Sequence, residues 1–159
     1  MRRKDREITD FDAIVAIMQQ CQVCRLALND GTYPYIVPLN FGITAENGTV
    51  TLYFHCANSG TKLDLIAADP HAAFEMDCET ILASQREIGE CTMSYKSVIG
   101  QGIISMVEES TEKLKALNVL VDHYHPEGFA WNPVHLPVTT VFKLTVEGMT
   151  AKYRPMPKG

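Results

Sequence analysis

The chain has 159 residues, of which 46% are hydrophobic and 21% are charged, and its formal net charge is −5. This composition is typical of one globular domain, here over residues 1–159, and argues against intrinsic disorder. The negative charge argues against nucleic acid as a partner, because phosphates are bound by basic surfaces. No apolar run reaches the ~18–20 residues of a membrane span and no signal peptide is recognised, so we expect a cytoplasmic protein without a membrane partner. The basic cluster from Arg2 to Arg6 is diluted by Asp5 and is predicted to be a solvated arm.

The first half of the chain predicts one helix followed by antiparallel hairpins. Phe11, Ile14, Val15 and Met18 form an apolar stripe at helical spacing, which predicts a helix from a Thr9 cap to Gln20. Alternating apolar residues and tight-turn pairs then predict three strands. Asp30-Gly31 and Asn47-Gly48 are the turn pairs, and the strands are Val23–Asn29, Tyr33–Phe41 and Val50–Cys56.

The second half predicts two further helices and a closing hairpin. Pro70 stops a short helix over Thr61–Asp69, and Ser110 is predicted to cap a helix that runs to Tyr124. The stretch Ile81–Met93 is polar and has no clear pattern. Gly100 and Gly102 inside a β-type run predict a bend or bulge. The predicted strands are Ala72–Cys78, Tyr95–Val107, and a hairpin of Val138–Val146 with Met149–Tyr153 around Glu147-Gly148.

These elements amount to six or seven strands with three helices inserted between hairpins. Because most strands are joined by short turns, the sheet should be antiparallel and closed into a barrel. The fold class is therefore mainly β with inserted helices (α+β).

The segment Ser59-Gly60-Thr61-Lys62 is a candidate anion site. It opens the predicted second helix, and a helix N-terminus carries free N–H groups and partial positive charge. A lysine in the first turn opposes the helix dipole, which makes sense where a phosphate binds beside it. The alternative is a solvent-facing lysine on a surface helix.

The strand Tyr33–Phe41 contains two prolines, Pro34 and Pro38, at the same lateral side. Proline is tolerated mainly where no neighbouring strand needs its N–H, which predicts an edge or barrel rim. Backbone groups at such an edge could serve a flat heterocyclic ligand. Simple protection of the edge against aggregation explains the same pattern.

His55 ends the third predicted strand, just before the candidate anion site. It could be a core histidine or a site donor whose charge changes near neutral pH. The other candidates are weaker. A metal site is not indicated by the histidine-containing group His123, Tyr124, His125 and His135, because no carboxylate pattern accompanies it. A dinucleotide-binding loop is not indicated by Gly100-Gln101-Gly102, because the third glycine of that fingerprint is missing.

The five cysteines do not have the pattern of a disulfide framework, because their number is odd and their spacing is scattered. Cys21 and Cys24 have redox spacing, but they join a helix end to a strand start, the reverse of the thioredoxin order. No second such pair is present for zinc. We therefore predict no redox or metal role for this pair. The complete set is Cys21, Cys24, Cys56, Cys78 and Cys91.

Several of these segments, taken in order, resemble one family. The chain is similar to the nitroimidazole-resistance branch of the pyridoxamine 5′-phosphate oxidase-like flavoproteins from its N-terminus to about Val107. The matching stretches are Arg2–Ile8, Arg25–Leu28, Pro34–Gly42, Tyr53–Ala57 with Gly60 and Lys62, and Tyr95–Gly102. Where other members of the branch carry Phe between the two glycines, this chain has Gln101.

The resemblance implies an antiparallel six-stranded split β-barrel that binds flavin mononucleotide (FMN) near the interface of a homodimer. It implies that Lys62 holds the phosphate with Ser59 or Thr61, with Ser97 as a weaker candidate. It also implies that His55 faces the flavin ring or a small-molecule acceptor as the catalytic residue. The residues expected to line the ring, largely through backbone, are Val37, Pro38, Leu39, Asn40 and Phe41.

Three functions fit this resemblance. The first is an FMN-dependent reductase of small aromatic or nitro compounds, in which the flavin carries the electrons. The second is a flavin-binding or redox-sensing module without turnover. The third is a related barrel that binds haem. Because a fold and a cofactor are shared by proteins of different activity, the resemblance does not decide among them. The true oxidases' arginine set for the substrate phosphate is not found.

Overall fold

The computed structural model describes residues 3–86, 89–130 and 132–156. Eight strands and three α-helices lie in this part of the chain. A two-residue strand and the first helix are followed by four strands, the second helix, two long strands, the third helix and the last strand. In chain order they are β1 (Glu7–Ile8), α1 (Phe11–Gln20), β2 (Cys24–Asp30), β3 (Tyr33–Leu39), β4 (Gly42–Glu46), β5 (Thr49–Ala57), α2 (Thr61–Ala68), β6 (His71–Gln85), β7 (Glu90–Val107), α3 (Ser110–Tyr124) and β8 (Thr139–Arg154).

The strands form one antiparallel sheet in the order β3-β2-β6-β7-β8-β5-β4, with β1 paired to β8. The sheet curls around a single apolar core, which confirms the predicted α+β class and the split β-barrel. Seven strands on the path, plus the short β1, are close to the six predicted. The largest buried side chains include Phe54 of β5, Phe74 of β6 and Phe142 of β8.

Helix α1 packs its predicted apolar stripe into this core, where Ile14, Val15 and Met18 are buried. The predicted cap was wrong by one residue. The carboxylate of Asp10, not Thr9, accepts a hydrogen bond of 2.8 Å from the Ala13 N–H. An ionised oxygen is a stronger acceptor for a free helical N–H than a hydroxyl, which favours Asp10.

The predicted edge position of the proline-containing strand is confirmed, because β3 pairs only with β2. Pro34 lies opposite Asn29 and Pro38 lies opposite Arg25. The tight turn between β4 and β5 is also confirmed. Asn47 and Gly48 both have positive φ, 51° and 77°, as the favoured hairpin turn requires.

The stretch that had no clear sequence pattern extends two strands into a long arm. Strand β6 continues to Gln85 and β7 begins at Glu90, with Ile81 opposite Ser94. The register shifts after Cys78, where Glu79 has a φ of 52°. The bulge swaps the faces of the strand, which is why simple alternation fails across this region.

The predicted closing hairpin was wrong. Residues 139–154 form the single strand β8, and Glu147-Gly148 is a bulge rather than a turn. Gln101 lies opposite Gly148 and Gly102 lies opposite Val146, so Glu147 is the extra residue. A Glu-Gly pair suits a bulge as well as a turn, and local sequence does not separate the two. The bulge predicted at Gly100 and Gly102 lies at this place.

Gly100 marks a close approach between β7 and the core. A Cβ at this position would lie 2.4 Å from the ring of Phe74, which is buried. We expect Gly100→Ala to lower the free energy of unfolding by about 1–2 kcal/mol, because the ring must move within a packed core. Urea denaturation measures the change. Gly148→Ala, where a Cβ meets nothing within 4 Å, is the control; equal midpoints for the two variants would contradict the prediction.

Helix α3 lies against β4, β5 and the outer face of β8. Its predicted cap was also wrong, since Ser110 is the first helical residue and Glu109 occupies the cap position without a capping side chain. Ala116 and Leu117 join Val107 and Val141 in a second apolar cluster outside the barrel.

None of the helices in the described residues is long and apolar enough to cross a membrane.

Candidate functional site

The end of β5 presents His55 on the outer face of the barrel. Phe54 points into the core, so its neighbour His55 points outwards, opposite Val141 of β8. The imidazole remains exposed, yet the surrounding protein displaces enough water to lower the pKa of His55 below its usual value. Desolvation favours the neutral ring, so His55 carries less charge at neutral pH than a free histidine.

The junction of β3 and β4 meets the same end of β5. Gly42 lies opposite Tyr53 in the last pair of the β4–β5 ladder, two residues before His55 on β5. Val37 and Leu39 are half-buried against the core, whereas Pro38 and Asn40 are exposed. The end of the predicted ring-lining segment therefore joins β4, the neighbour of the strand that carries His55.

Phe41, the last of the predicted ring-lining residues, has other partners. Its side chain is fully buried, with its ring centroid 4.5 Å from that of His123. Its N–H donates to the Tyr124 hydroxyl at 3.1 Å, and that hydroxyl donates to the Gln22 carbonyl at 2.9 Å. Phe41 thus anchors the junction, and its backbone donor is engaged within the chain. Nothing in the sequence around Tyr124 signals this role.

Helix α2 begins six residues after His55, and no side chain of the described residues caps its N-terminus. Gly60 is the cap residue and has a φ of 139°, a conformation that side-chain-bearing residues rarely adopt. The hydroxyl-bearing Ser59 and Thr61 flank it and are exposed. The first N–H groups of the helix are therefore open to an anion.

Lys62 adds a full positive charge to this N-terminus. It is half-buried and forms no ion pair with the carboxylates of the described residues. The positive charge of Lys62 acts electrostatically on Cys56, near the end of β5. The pKa of Cys56 is raised by burial, and Lys62 partly offsets that rise. Asp64 lies about 200° further around the helix, so it points away from Lys62.

Ser97 lies apart from these groups within one chain. It sits on the outer face of β7 opposite Asp77 and Lys152. The β7 residue in line with His55 is Val107, through Val141. Ser97 is ten positions from Val107, or about 33 Å along the strand.

Asn58 is a residue at this site that the sequence reasoning missed. Its side-chain oxygen accepts a 2.8 Å hydrogen bond from the Thr140 hydroxyl, and its amide donates to the Pro137 carbonyl at 3.4 Å. The only sequence signal was its place directly before Ser59. The partners lie 79 and 82 residues away, so no local pattern reveals them.

Two concavities of the described residues lie elsewhere. One of about 820 Å³ runs along the β6–β7 arm and includes Cys91 and Arg154. Another of about 470 Å³ lies on the outer face of β2, β6 and β7 and includes His71 and Gln101. Neither is lined by His55 or Lys62. These two concavities are therefore separate from the candidate site.

Cys21 and Cys24 are free, fully buried thiols. Burial raises the pKa of both well above the usual range, which suppresses the thiolate that redox chemistry needs. We expect Cys21→Ser with Cys24→Ser to leave ligand spectra and activity within about twofold, with a modest loss of stability from burying two hydroxyls. Spectral titration and thermal denaturation measure both. A folded variant without activity would assign the pair a redox role.

The histidines of the α3 end and the following loop have structural partners. His123 Nε2 lies 2.9 Å from the Cys21 carbonyl, and His125 stacks on Phe129. The described residues contain no group of three or more metal-ligating side chains that could hold an ion.

This chain matches a known protein family along most of its length. The family model described as pyridoxamine 5′-phosphate oxidase matches residues 10–153. The chain belongs to the pyridoxamine 5′-phosphate oxidase family. The matched range contains every predicted site residue, and it confirms the family that the sequence resembles. No match was found among the curated protein sequences.

Three solved structures place this family member among similar barrels. A candidate 5-nitroimidazole antibiotic resistance protein from Bacteroides thetaiotaomicron VPI-5482 is 28% identical, with a TM-score of 0.78 over 92% of this chain and 85% of that one. An FAD- and haem-binding protein from Mycobacterium smegmatis is 19% identical, with a TM-score of 0.79 over 97% and 76%. An FAD-binding protein from Mesorhizobium loti is 17% identical, with a TM-score of 0.67 over 94% and 98%. The last two likenesses concern the fold.

Proposed function

We propose that this protein binds FMN at the β5–α2 end of the barrel and reduces small aromatic or nitro compounds. The observation that carries the proposal is the uncapped N-terminus of α2 with the half-buried Lys62 beside it, next to an outward-facing His55. The family supports a flavin cofactor, and the 28% identical candidate nitroimidazole-resistance relative supports the substrate class.

The residues present fit a phosphate-bearing flavin. The free N–H groups after Gly60, with Lys62, match the charge and donors that a phosphate needs. The exposed edge of β3 leaves backbone groups for the polar rim of a flat ring. When bound, a flavin would supply the electrons for reduction.

The remaining steps fall to side chains of this chain. The exposed face of the β3–β4 junction would orient the ring beside the strand that carries His55. The protonated imidazole of His55 would donate a hydrogen bond or a proton to an oxygen atom of a bound acceptor. Its lowered pKa keeps the proton weakly held, which favours its transfer.

One experiment tests the cofactor. The purified protein should be yellow, and heat-released cofactor should be FMN at about one per chain, because one anion site fits one phosphate better than a dinucleotide. A released FAD would correct the cofactor. A haem Soret band would favour the haem-binding alternative. Colourless protein that takes up no added flavin would overturn the proposal.

A second experiment separates a reductase from a flavin-binding module without turnover. The flavin is reduced anaerobically with NADH, NADPH or dithionite and then mixed with 1,2-dimethyl-5-nitroimidazole. Rapid reoxidation with loss of the nitro absorbance supports the reductase. Flavin that stays reduced would favour the storage or sensing module.

We propose further that the protein is a homodimer whose interface completes the site. A mixed apolar and charged surface across β3, β2, β6 and β7 supports this. Ile36 and Ile99 are 62% and 54% exposed, Ala27 and Ala73 lie on the strands between them, and Arg25 forms ion pairs with Glu75 and Asp77 on the same face. A second chain could also bring Ser97 to the phosphate. Light scattering should give about twice the chain mass of 17.7 kDa. A monomer that binds FMN tightly would contradict a shared site.

A further inference from the structure

A short 3-10 helix, Pro133–Val138, connects the loop after α3 to strand β8. Its own hydrogen bonds hold it at both ends. The Asn132 side-chain oxygen accepts from the Val134 N–H at 3.0 Å, and the Thr139 hydroxyl donates to the His135 carbonyl at 2.7 Å. We call this helix the connecting helix. It is an ordered element rather than a passive linker.

The connecting helix lies on the face of the sheet from which His55 projects. Its Leu136 packs against the second apolar cluster, which contains Val141. Val141 is the residue directly opposite His55 in the β5–β8 pairing, so both side chains leave the same face of the sheet. The connecting helix therefore packs, through Leu136, against the cluster that contains the β8 residue opposite His55.

The connecting helix keeps large apolar side chains in contact with solvent. Val134 and Val138 are 65% and 62% exposed, and Phe129 in the preceding loop is 56% exposed. Single exposed apolar residues are ordinary, but these three belong to one short segment beside a titratable group. Small-molecule sites combine such apolar walls with one or two polar groups.

One residue joins the connecting helix to the candidate anion site. Asn58 accepts a hydrogen bond from Thr140 and donates one to the carbonyl of Pro137, within the connecting helix. The next residue in sequence, Ser59, begins the loop that leads into α2. Asn58 thus ties the end of β5 to the connecting helix and to the start of β8.

We infer that the connecting helix is the wall of the acceptor site, that Val138 and Val134 select small apolar or aromatic acceptors, and that Asn58 is the positioning residue that holds this wall beside His55. The inference rests on the proposed function, because it assigns the acceptor side of the same site. It adds residues from the second half of the chain to a site so far built from the first half.

Asn58→Ala tests the positioning role in the flavin-loaded protein. Reduced protein is reoxidised anaerobically by 1,2-dimethyl-5-nitroimidazole, and the half-saturating concentration should rise about tenfold, as expected for the loss of two hydrogen bonds. The limiting rate and the FMN affinity should stay within about twofold. Chymotrypsin should also cleave faster between residues 125 and 138, a readout independent of activity.

Asn29→Ala is the matched control, because Asn29 is also exposed and bonded through its side chain to Asp69 and Gly31. It should change neither half-saturation nor cleavage. Val138→Ser, at an exposed position that leaves the fold intact, should raise half-saturation without changing cleavage, and it decides the test if Asn58→Ala does not fold.

The outcomes are separable. Wild-type half-saturation in both Asn58→Ala and Val138→Ser overturns this inference and leaves the proposed function standing. Loss of FMN from Asn58→Ala overturns the positioning role and assigns Asn58 to the phosphate loop. A wild-type protein that binds no flavin, or whose reduced flavin is not reoxidised by the acceptor, overturns both the inference and the proposed function.

Discussion

Lys62→Ala should weaken FMN binding roughly ten- to a hundredfold while leaving the fold intact. The loss of a charge-assisted hydrogen bond to a phosphate costs about 1.5–3 kcal/mol, which corresponds to that change in affinity. The fold should survive because Lys62 forms no ion pair with the carboxylates of the described residues and lies at the end of the barrel. Fluorescence titration of apoprotein with FMN measures the affinity.

The control for this prediction is Lys113→Ala. Lys113 is also half-buried near a helix N-terminus, that of α3, so it matches Lys62 in charge and setting but belongs to a different helix. Its substitution should leave the FMN affinity within about twofold, since a screened charge at a distance contributes little. Lys62→Arg should retain most of the affinity. Equal affinities for Lys62→Ala and wild type would make Lys62 an ordinary surface lysine.

The sequence was most informative where a local physical rule decides the structure. Asn47-Gly48 predicts its turn because both residues adopt positive φ without strain. Pro34 and Pro38 predict an edge because their missing N–H groups would break a ladder on a central strand. These rules need only nearest neighbours, so they hold without knowledge of the fold.

The errors arose where long-range pairing decides between two locally equal choices. Glu147-Gly148 is compatible with a turn and with a bulge, and only the pairing of β8 with both β5 and β7 selects the bulge. The arm of β6 and β7 lacked clear alternation because the bulge after Cys78 exchanges its faces. Tertiary pairing overrides local propensity in both cases.

At the candidate site, too, some residues are positioned by local sequence and others by long-range strand pairing. His55 and Lys62 are seven positions apart along the chain, so their proximity follows from local sequence. The end of the ring-lining segment meets β5 only through the β4–β5 register, which begins at Gly42, and Asn58 reaches Pro137 only because β8 pairs with β5. Ser97 lies far along β7 from the site in one chain, and its predicted role depends on a second chain.

His55→Ala should lower the rate of acceptor reduction by about 10²- to 10⁴-fold, the usual contribution of a placed proton donor. FMN affinity should change little, because His55 lies on the outer face of β5 and the anion site is at α2. His71→Ala is the control, since His71 is a highly exposed histidine paired with Asp69. Anaerobic reoxidation of the reduced flavin by 1,2-dimethyl-5-nitroimidazole measures the rate.

The pH dependence distinguishes proton donation from simple binding. Desolvation lowers the pKa of His55 below its usual value, so the protonated donor is present only below that lowered pKa. In the wild type, the second-order rate of acceptor reduction should therefore fall as pH rises through a value below about 6.5. His55→Gln, whose amide can donate a hydrogen bond but no proton, should restore acceptor binding without restoring this fall. If His55→Gln keeps the wild-type pH profile, the proton comes from another group. If His55→Ala releases FMN but reaches full turnover when FMN is resupplied, His55 holds the cofactor instead of donating a proton.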